Sequence, residues 1–242
     1  MIRRHSSKKY ADHPYFIAGE ELAEVGGNKL HQLLLEELKQ RLPPNAHILD
    51  VGTGSGDFIG YASRHFANIE GIEPSAYLAE RARARTGKEI FNVAFEDFSK
   101  NNKYDAVILM DIIEHTADPR ALLSNASDVL KPGGLLFICT VDSNSLLYLL
   151  SPLVYLASSF VGKAKYVLER IYCYQHNWYF NRKVLRDLLE NSQFETIIQN
   201  GYEFPLERLK ESPVILWGLR LVYFLHQLLG MRTEQYVLAK KR

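Results

Sequence analysis

The sequence has few cysteines and no apolar leader. Cys139 and Cys173 are the only two cysteines among 242 residues, and their spacing is not that of a CxxC pair. A secreted disulfide framework usually needs more cysteines, so a reducing compartment is favoured. The first residues, MIRRHSSKKYADHPYF, lack the apolar core of a signal peptide. Both features predict a cytoplasmic protein.

A strong charge of either sign is also missing. Lys and Arg total 29 against 28 Asp and Glu, so the formal net charge is +1. This balance gives no sign of a polyanion-binding protein, and no nucleic-acid partner is expected. With 47% hydrophobic and 24% charged residues, the composition is typical of a globular chain. We predict one domain over 1–242, with a helical segment at 1–44 and a ligand-binding core at 45–142.

Strand and helix patterns alternate along the core. Short apolar runs bounded by turn residues predict strands, and amphipathic stretches between them predict helices. This order is typical of an α/β fold, a mostly parallel sheet with helices on both faces. The predicted strands are 46–51, 68–73, 89–95, 104–110, 134–141 and 234–241, with helices at 20–41, 57–66, 75–86 and 119–130, and a helix followed by a strand over 182–199.

Two apolar stretches interrupt the alternation. Residues 143–162 carry no charge, and residues 212–230 are nearly as apolar. Either is long enough to cross a membrane, which takes roughly 20 apolar residues. Ser, Asn and Pro interrupt the first, and Arg220 and His226 interrupt the second. We therefore interpret the longer segments 143–175 and 203–232 as helical lid insertions, with peripheral membrane contact as a further possibility.

A glycine-rich turn follows the first predicted strand. In HILDVGTGSGDF, Gly52, Gly54 and Gly56 follow Asp50, and glycine allows a ligand to approach the backbone closely. The dinucleotide fingerprint GxGxxG would need glycine at position 57, which is Asp57. The acid before the glycines would repel a pyrophosphate and suits a ligand with an ammonium or sulfonium group.

Acidic residues follow the next two predicted strands. Glu73, in GIEPS, is placed to accept hydrogen bonds from the hydroxyls of a ribose. Asp97, in AFEDF, is placed to reach an adenine amino group, with Phe95 or Phe98 against the ring. A solvated strand end and a turn cap are the alternative interpretations of the two acids.

Together these segments resemble class I S-adenosylmethionine-dependent methyltransferases. The similarity extends over roughly 45–199 and includes YDAVILMDIIEHTADP and VLKPGGLLFICTV. The ubiquinone-biosynthesis O-methyltransferase branch is most similar, through DIIEHTADP and HNWYF. The resemblance implies a Rossmann-like seven-stranded sheet whose last strand is antiparallel. It also implies a set of residues that bind S-adenosylmethionine: Asp50, Gly52, Gly54, Gly56, Glu73, Pro74, Asp97, Phe98 and Asp111.

The segment after the fourth strand contains the candidate catalytic and metal-binding residues. His115 is a candidate general base, since a hydroxyl acceptor must lose a proton. Its alternative is a structural, turn-capping role. Asp111, Glu114 and His115, joined by the later His176, could instead hold a divalent ion such as Mg²⁺.

The predicted function is methyl transfer to a small acceptor that is apolar, aromatic or lipid-like, with oxygen the favoured atom. The aromatic residues of the two insertions would line the acceptor site or simply pack on each other. Two other classes stay open, an NAD-dependent oxidoreductase and a non-catalytic, membrane-associated protein with the same fold.

Overall fold

The computed structural model describes residues 29–99, 101–159, 172, 175–204, 206 and 213–242. The described chain forms two compact units. The first comprises the described parts of Met1–Met110, together with Ala121–Phe137 and Lys240–Arg242. The second comprises Asp111–Arg120 and the described parts of Ile138–Ala239. The predicted helix 20–41 is described only from residue 29 onward.

The elements alternate as the sequence predicts. In chain order they are α1 Lys29–Lys39, β1 His47–Val51, α2 Asp57–Ala62, β2 Asn68–Ile72, α3 Ala76–Thr86, β3 Ile90–Phe91, β4 Tyr104–Met110, α4 Pro119–Val129, β5 Leu130–Val141, α5 Leu146–Leu149, α6 Ser151–Ser159, α7 Arg182–Glu190, β6 Phe194–Tyr202, α8 Pro213–Leu229 and β7 Glu234–Lys241.

The strands form one seven-stranded sheet in the order β3-β2-β1-β4-β5-β7-β6. β1 pairs in parallel with β2 and β4, and β2 pairs in parallel with β3. Hydrogen bonds join Gln199 to Gln235 and Tyr202 to Thr233. Because the residue numbers run in opposite directions along β6 and β7, the last strand is antiparallel to its neighbour. The predicted Rossmann-like α/β fold is confirmed.

Local sequence explains how the helices near the sheet begin and end. Ser75 starts α3 by accepting a hydrogen bond from the Leu78 N–H at 3.3 Å. Gly87 ends α3 at φ 64°, where its N–H donates to the Arg83 carbonyl. Asn181 caps α7 through the Val184 N–H at 2.9 Å. These caps hold the helix ends beside the strands that precede or follow them.

Several predicted boundaries were wrong. α2 ends at Ala62 instead of 66, and a turn follows in which the Phe66 N–H donates to the Ala62 carbonyl. β5 starts at Leu130 instead of 134, since Gly133 takes φ 74° within the strand and does not end it. The strand expected at 89–95 is only Ile90–Phe91, followed by a 3₁₀ turn at Phe95–Asp97.

Each apolar insertion contains helices. α5 and α6 follow β5, and α8 lies between β6 and β7. The remaining parts of the predicted lid segments, 160–171, 173–174, 205 and 207–212, lie outside the described residues. Over the residues that the structure describes, no helix is long and apolar enough to cross a bilayer.

Candidate active site

The glycine turn of the first unit lies between β1 and α2. Gly52, Gly54 and Gly56 all take positive φ, at 71°, 57° and 82°. The N–H groups of Gly52 and Thr53 both donate to the Ile72 carbonyl, at 2.8 and 3.0 Å, which ties the turn to β2. A Cβ on Gly54 would have nothing within 4 Å. The backbone at Gly54 is therefore open to a ligand.

Gly56 has a different requirement. A Cβ there would lie 2.9 Å from Thr86 Cγ2 and 3.2 Å from Ala82 Cβ, both on α3. Gly56 also begins α2 in a left-handed conformation. The glycine thus allows α2 and α3 to pack closely, a role in addition to the ligand approach predicted for it.

Glu73 connects this turn to the start of α3. Its Oε2 accepts the Gly54 N–H at 2.9 Å, and its Oε1 accepts the Ser75 N–H at 2.8 Å. Burial raises the pKa of the carboxyl, while the two N–H donors lower it. Each carboxylate oxygen can accept a further bond, so a ribose diol remains compatible with this arrangement. Pro74 is exposed beside it.

Asp50 is a buried acid at the end of β1. Thr53 Oγ1 donates to Asp50 Oδ2 at 2.7 Å. Burial, opposed by the Thr53 bond and assisted by the nearby carboxylates of Glu73 and Asp57, raises the pKa of Asp50 to about 7. A cationic ligand would relieve this cost of ionisation. Thr53 is a contributor that sequence reasoning missed.

The residues predicted near an adenine occupy the 3₁₀ turn and its end. Asp97 is exposed. Phe98 packs between Phe91 and Tyr104, with ring centroids 5.1 and 6.3 Å away. Asp97 is therefore accessible to a ligand, and Phe98 belongs to a small aromatic cluster.

In the second unit, three predicted site residues come together. One ligand atom each of Glu114, His115 and His176 lies within 4.8 Å of the others. The two imidazole rings meet edge to face, with centroids 4.7 Å apart. Residues from two distant parts of the sequence thus form one cluster, here named the Glu-His-His cluster.

Hydrogen bonds from residues 177 and 178 hold this cluster together. The backbone N–H groups of Asn177 and Trp178 both donate to the Glu114 carbonyl, at 2.7 and 3.1 Å. Asn177 Nδ2 donates to the His115 carbonyl at 2.8 Å, and Trp178 Nε1 donates to the Thr116 carbonyl at 3.0 Å. These bonds fix the position of His176 beside His115.

The hydrogen bonding of His115 defines its tautomer. His115 Nδ1 lies 3.1 Å from the Gln175 carbonyl, which can only accept, so Nδ1 carries the proton and Nε2 presents its lone pair. Burial lowers the pKa of His115, although the Gln175 bond opposes this. Burial also lowers the pKa of His176, to about 4, with a contribution from His115. Both rings are neutral near pH 7.

Glu114 is almost fully buried. Within the described residues, neither its Oε2 nor His176 Nδ1 has a hydrogen-bond partner. Burial and the Asp111 carboxylate raise the pKa of Glu114. A buried carboxylate oxygen without a donor, next to two neutral imidazoles, fits the ligand set of a divalent cation.

Asp111, the fourth predicted metal ligand, lies in another group. It takes φ 53°, is exposed, and clusters with Cys139 and Glu234. The Asp111 N–H donates to the Cys139 carbonyl at 3.0 Å. Burial raises the pKa of the Cys139 thiol, as do the carboxylates of Glu234, Asp111 and Glu114. Sequence reasoning missed Cys139 and Glu234, because both residues are far from Asp111 in the chain.

Tyrosines extend from the Glu-His-His cluster. The rings of Tyr148, Tyr172 and Tyr179 pack in a triangle with centroids 5.3 to 5.5 Å apart. Tyr179 also lies 5.5 Å from the ring of His176. Tyr148 and Tyr172 were expected among the insertion aromatics, whereas Tyr179 was not. Its place in YQHNWYF, three residues after His176, was the available signal.

The chain matches known methyltransferases in sequence. The family described as "Methyltransferase domain" matches residues 21–199. A ubiquinone biosynthesis O-methyltransferase of Coxiella burnetii is 30% identical over 109 residues, covering 43% of this chain and 47% of that protein. One of Dinoroseobacter shibae is 28% identical over 165 residues, covering 65% and 63%. The chain thus spans about half the length of the first of these relatives and less than two thirds of the second.

Solved structures share the fold at low sequence identity. A Haloferax volcanii structure, a Trm112 methyltransferase activator in complex with a methyltransferase, aligns with TM-score 0.69 and 16% identity, covering 99% of both chains. The magnesium protoporphyrin IX methyltransferase of Synechocystis, with bound S-adenosylhomocysteine, aligns with TM-score 0.65 and 12% identity, covering 97% of both. With the family match over most of its length, the chain belongs to the methyltransferase-domain family and is a class I S-adenosylmethionine-dependent methyltransferase.

Proposed function

We propose that this protein transfers a methyl group from S-adenosylmethionine to an oxygen atom of a small, apolar or aromatic acceptor. The observation that carries the choice of oxygen is the neutral His115, whose Nε2 lone pair is set by the Gln175 bond. The ubiquinone-biosynthesis names of the relatives support the same choice of acceptor atom.

The first unit would bind the cofactor. S-adenosylmethionine supplies a methyl group on a sulfonium, which is already activated for displacement. Gly54 leaves space for its amino-acid end, and Glu73 would accept the ribose hydroxyls. Asp50 would stabilise the positive charge, which in turn favours ionisation of this buried carboxyl. Asp97 would hydrogen-bond the adenine.

The second unit would prepare the acceptor. A hydroxyl is a poor nucleophile until it loses its proton, so a base raises the rate of its methylation. His115 would accept that proton at Nε2, and the Nδ1–H bond to the Gln175 carbonyl would stabilise the imidazolium that forms. Asp111, next to β4, would contribute to orienting the reactants.

The same cluster could hold a divalent ion. Glu114, His115 and His176 would be its ligands, and a bound cation would lower the pKa of a coordinated acceptor hydroxyl. Two imidazoles and one carboxylate suit Zn²⁺ or Mn²⁺ better than Mg²⁺, which prefers oxygen ligands. This second role excludes the first, since Nε2 of His115 cannot bind a metal and accept a proton together.

Cofactor binding and turnover test the proposal. Calorimetry should show S-adenosylhomocysteine binding, with NAD binding weaker or undetectable. Methyl transfer from labelled S-adenosylmethionine should then be measured on hydroxylated aromatic compounds and on aromatic amines. Tight NAD binding would indicate the oxidoreductase. Cofactor binding without transfer to any acceptor would indicate the non-catalytic protein.

Variants and chelation separate the two roles of the cluster. His115→Gln should lower the rate by about 10²-fold or more if His115 is the base. His65→Gln, at an exposed histidine of the first unit, is the matched control and should retain activity. Full activity in excess chelator would refute the metal and support the base. Loss in chelator with recovery on Zn²⁺ or Mn²⁺ would refute the base and support the metal.

A further inference from the structure

Helix α8 presents its apolar side chains to the outside. Trp217, Leu221, Phe224 and Leu228 lie along one face at helical spacing, and they are 49 to 68% exposed. Residues separated by three or four positions share a helix face. An apolar stripe on a helix is normally packed against the rest of the protein and away from water. The outer face of α8 is therefore suited to an apolar environment.

The opposite face of α8 carries His226 and Tyr223, whose polar atoms are hydrogen-bonded to the protein. His226 is completely buried, with Nδ1 3.1 Å from Glu203 Oε1. Its Nε2 accepts the Leu146 N–H at 3.0 Å. Tyr223 donates to the Phe204 carbonyl at 2.9 Å. The polarity of α8 is therefore inverted, and its inner face is held by hydrogen bonds to the protein.

The first insertion has the same inversion. Ser151 is buried, and its Oγ is within 2.7 Å of both the Tyr148 carbonyl and the Tyr172 hydroxyl. Leu149, Leu153 and Leu156 are 53 to 64% exposed. α5 packs beside α8, and the bond from Leu146 to His226 joins the two insertions. The exposed apolar residues of the two insertions are together called the inverted face: Leu149, Leu153, Leu156, Trp217, Leu221, Phe224 and Leu228.

Exposed apolar surface is concentrated in these helices. Ten of the sixteen exposed large hydrophobic side chains in the described chain fall within residues 149–156 and 217–229. Single exposed hydrophobics are normal on protein surfaces, but contiguous patches mark contact with a partner or a membrane. The inverted face is thus a candidate docking surface.

We propose that the inverted face docks on the surface of an anionic lipid bilayer. Over the two insertions, 143–175 and 203–232, the sequence has seven Lys and Arg against four Glu and no Asp. Arg220 is exposed on α8, one position before Leu221. Basic side chains beside an apolar stripe attract anionic headgroups.

The same charges argue against a second copy of the chain. A symmetric dimer through this face would place the same patch of each copy against the other. Both copies would then bring the exposed Arg220 into the same apolar interface. A bilayer also suits the geometry, because the inner face of α8 is bonded to the protein and only its outer face is available to lipid.

Vesicle binding by the 242-residue chain tests the docking. Trp178→Phe leaves Trp217 as the single tryptophan, since the sequence has two. Flotation should recover this protein with vesicles of phosphatidylcholine mixed with phosphatidylglycerol, and less of it with phosphatidylcholine alone. Its fluorescence should shift to the blue on binding and be quenched by brominated lipid. S-adenosylhomocysteine affinity, measured separately without lipid, tests the proposed function independently.

Matched variants locate the surface. Leu221→Gln with Phe224→Gln should weaken vesicle binding by about tenfold or more, because two apolar anchors are removed. Tyr77→Gln with Val184→Gln replaces two equally exposed residues elsewhere and should leave binding unchanged. Arg220→Glu should weaken binding to the anionic vesicles in particular. Failure to bind either vesicle would overturn the proposal, as would a dimer by light scattering that only Leu221→Gln with Phe224→Gln dissociates.

Discussion

Replacing Gly56 by alanine should destabilise the first unit more than replacing Gly54, although both glycines take positive φ. Alanine in a left-handed conformation costs about 1–2 kcal/mol at either position. The two positions differ in their surroundings. A Cβ at 54 meets nothing within 4 Å, whereas a Cβ at 56 meets Thr86 Cγ2 at 2.9 Å and Ala82 Cβ at 3.2 Å.

The difference in surroundings gives the expected magnitudes. Overpacking of a tight helix contact costs about 1–3 kcal/mol. Gly54→Ala should therefore lower the free energy of unfolding by about 1–2 kcal/mol, and Gly56→Ala by about 2–5 kcal/mol. Gly54→Ala should nevertheless lose more S-adenosylhomocysteine affinity than Gly56→Ala, because its new methyl group occupies the open side of the turn.

Urea unfolding followed by circular dichroism measures the first effect, and calorimetry the second. Thr86→Ser keeps the hydroxyl that donates to the Ala82 carbonyl and removes the Cγ2 that clashes. It should recover part of the stability lost in Gly56→Ala and none of that lost in Gly54→Ala. Equal destabilisation of the two alanine variants, with no rescue by Thr86→Ser, would refute the assignment of Gly56 to packing.

Three further predictions concern single side chains. Burial raises the Asp50 pKa from 3.8 to about 7, so the folded protein retains that proton to a higher pH than the unfolded chain does. The free energy of unfolding should therefore fall as the pH rises between these two values, by at most about 4 kcal/mol. Asp50→Asn should flatten the pH dependence of the stability measured by urea unfolding. Asn177→Ala should shift the pH dependence of the methyl-transfer rate without changing the affinity for S-adenosylhomocysteine. Asn191→Ala, at an exposed asparagine, should leave that pH dependence unchanged. Identical pH–rate profiles for the two variants would contradict the prediction. Cys139 should resist alkylation in the native protein and react once unfolded, as peptide mass spectrometry can show.

The parts of the fold predicted correctly depend on local pattern. β1, β2 and β4 are short apolar runs bounded by turns, and their boundaries differ from prediction by at most one residue. The glycine turn was predictable because spacing alone distinguishes it from a dinucleotide loop. The end of α2 and the start of β5 were not, because apolar patterning does not reveal a local turn at Phe66 or a glycine such as Gly133 that stays inside a strand.

The candidate site divides in the same way. Glu114, His115 and the later His176 were grouped from residue type, and the structure places them together. Asp111 was grouped with them because it is near in sequence, yet its neighbours are Cys139 and Glu234. Which side chains meet at the end of β4 depends on which strands pair there. That pairing involves β5 and β7, whose order in the sheet has no signal in a single sequence.

Helix α8 shows a further limit of reading periodicity. The spacing of Trp217, Leu221, Phe224 and Leu228 identifies a shared face, and the usual assumption turns such a face inward. His226 would then point to water. The structure reverses this, because Glu203 and the Leu146 N–H satisfy both nitrogens of His226 inside the protein. Periodicity determines which residues share a face, but only the partners of the polar residues determine which face is buried. For that reason the sequence was sufficient to identify the two apolar insertions. Knowing that their apolar surface faces outward required the positions of Glu203 and Leu146.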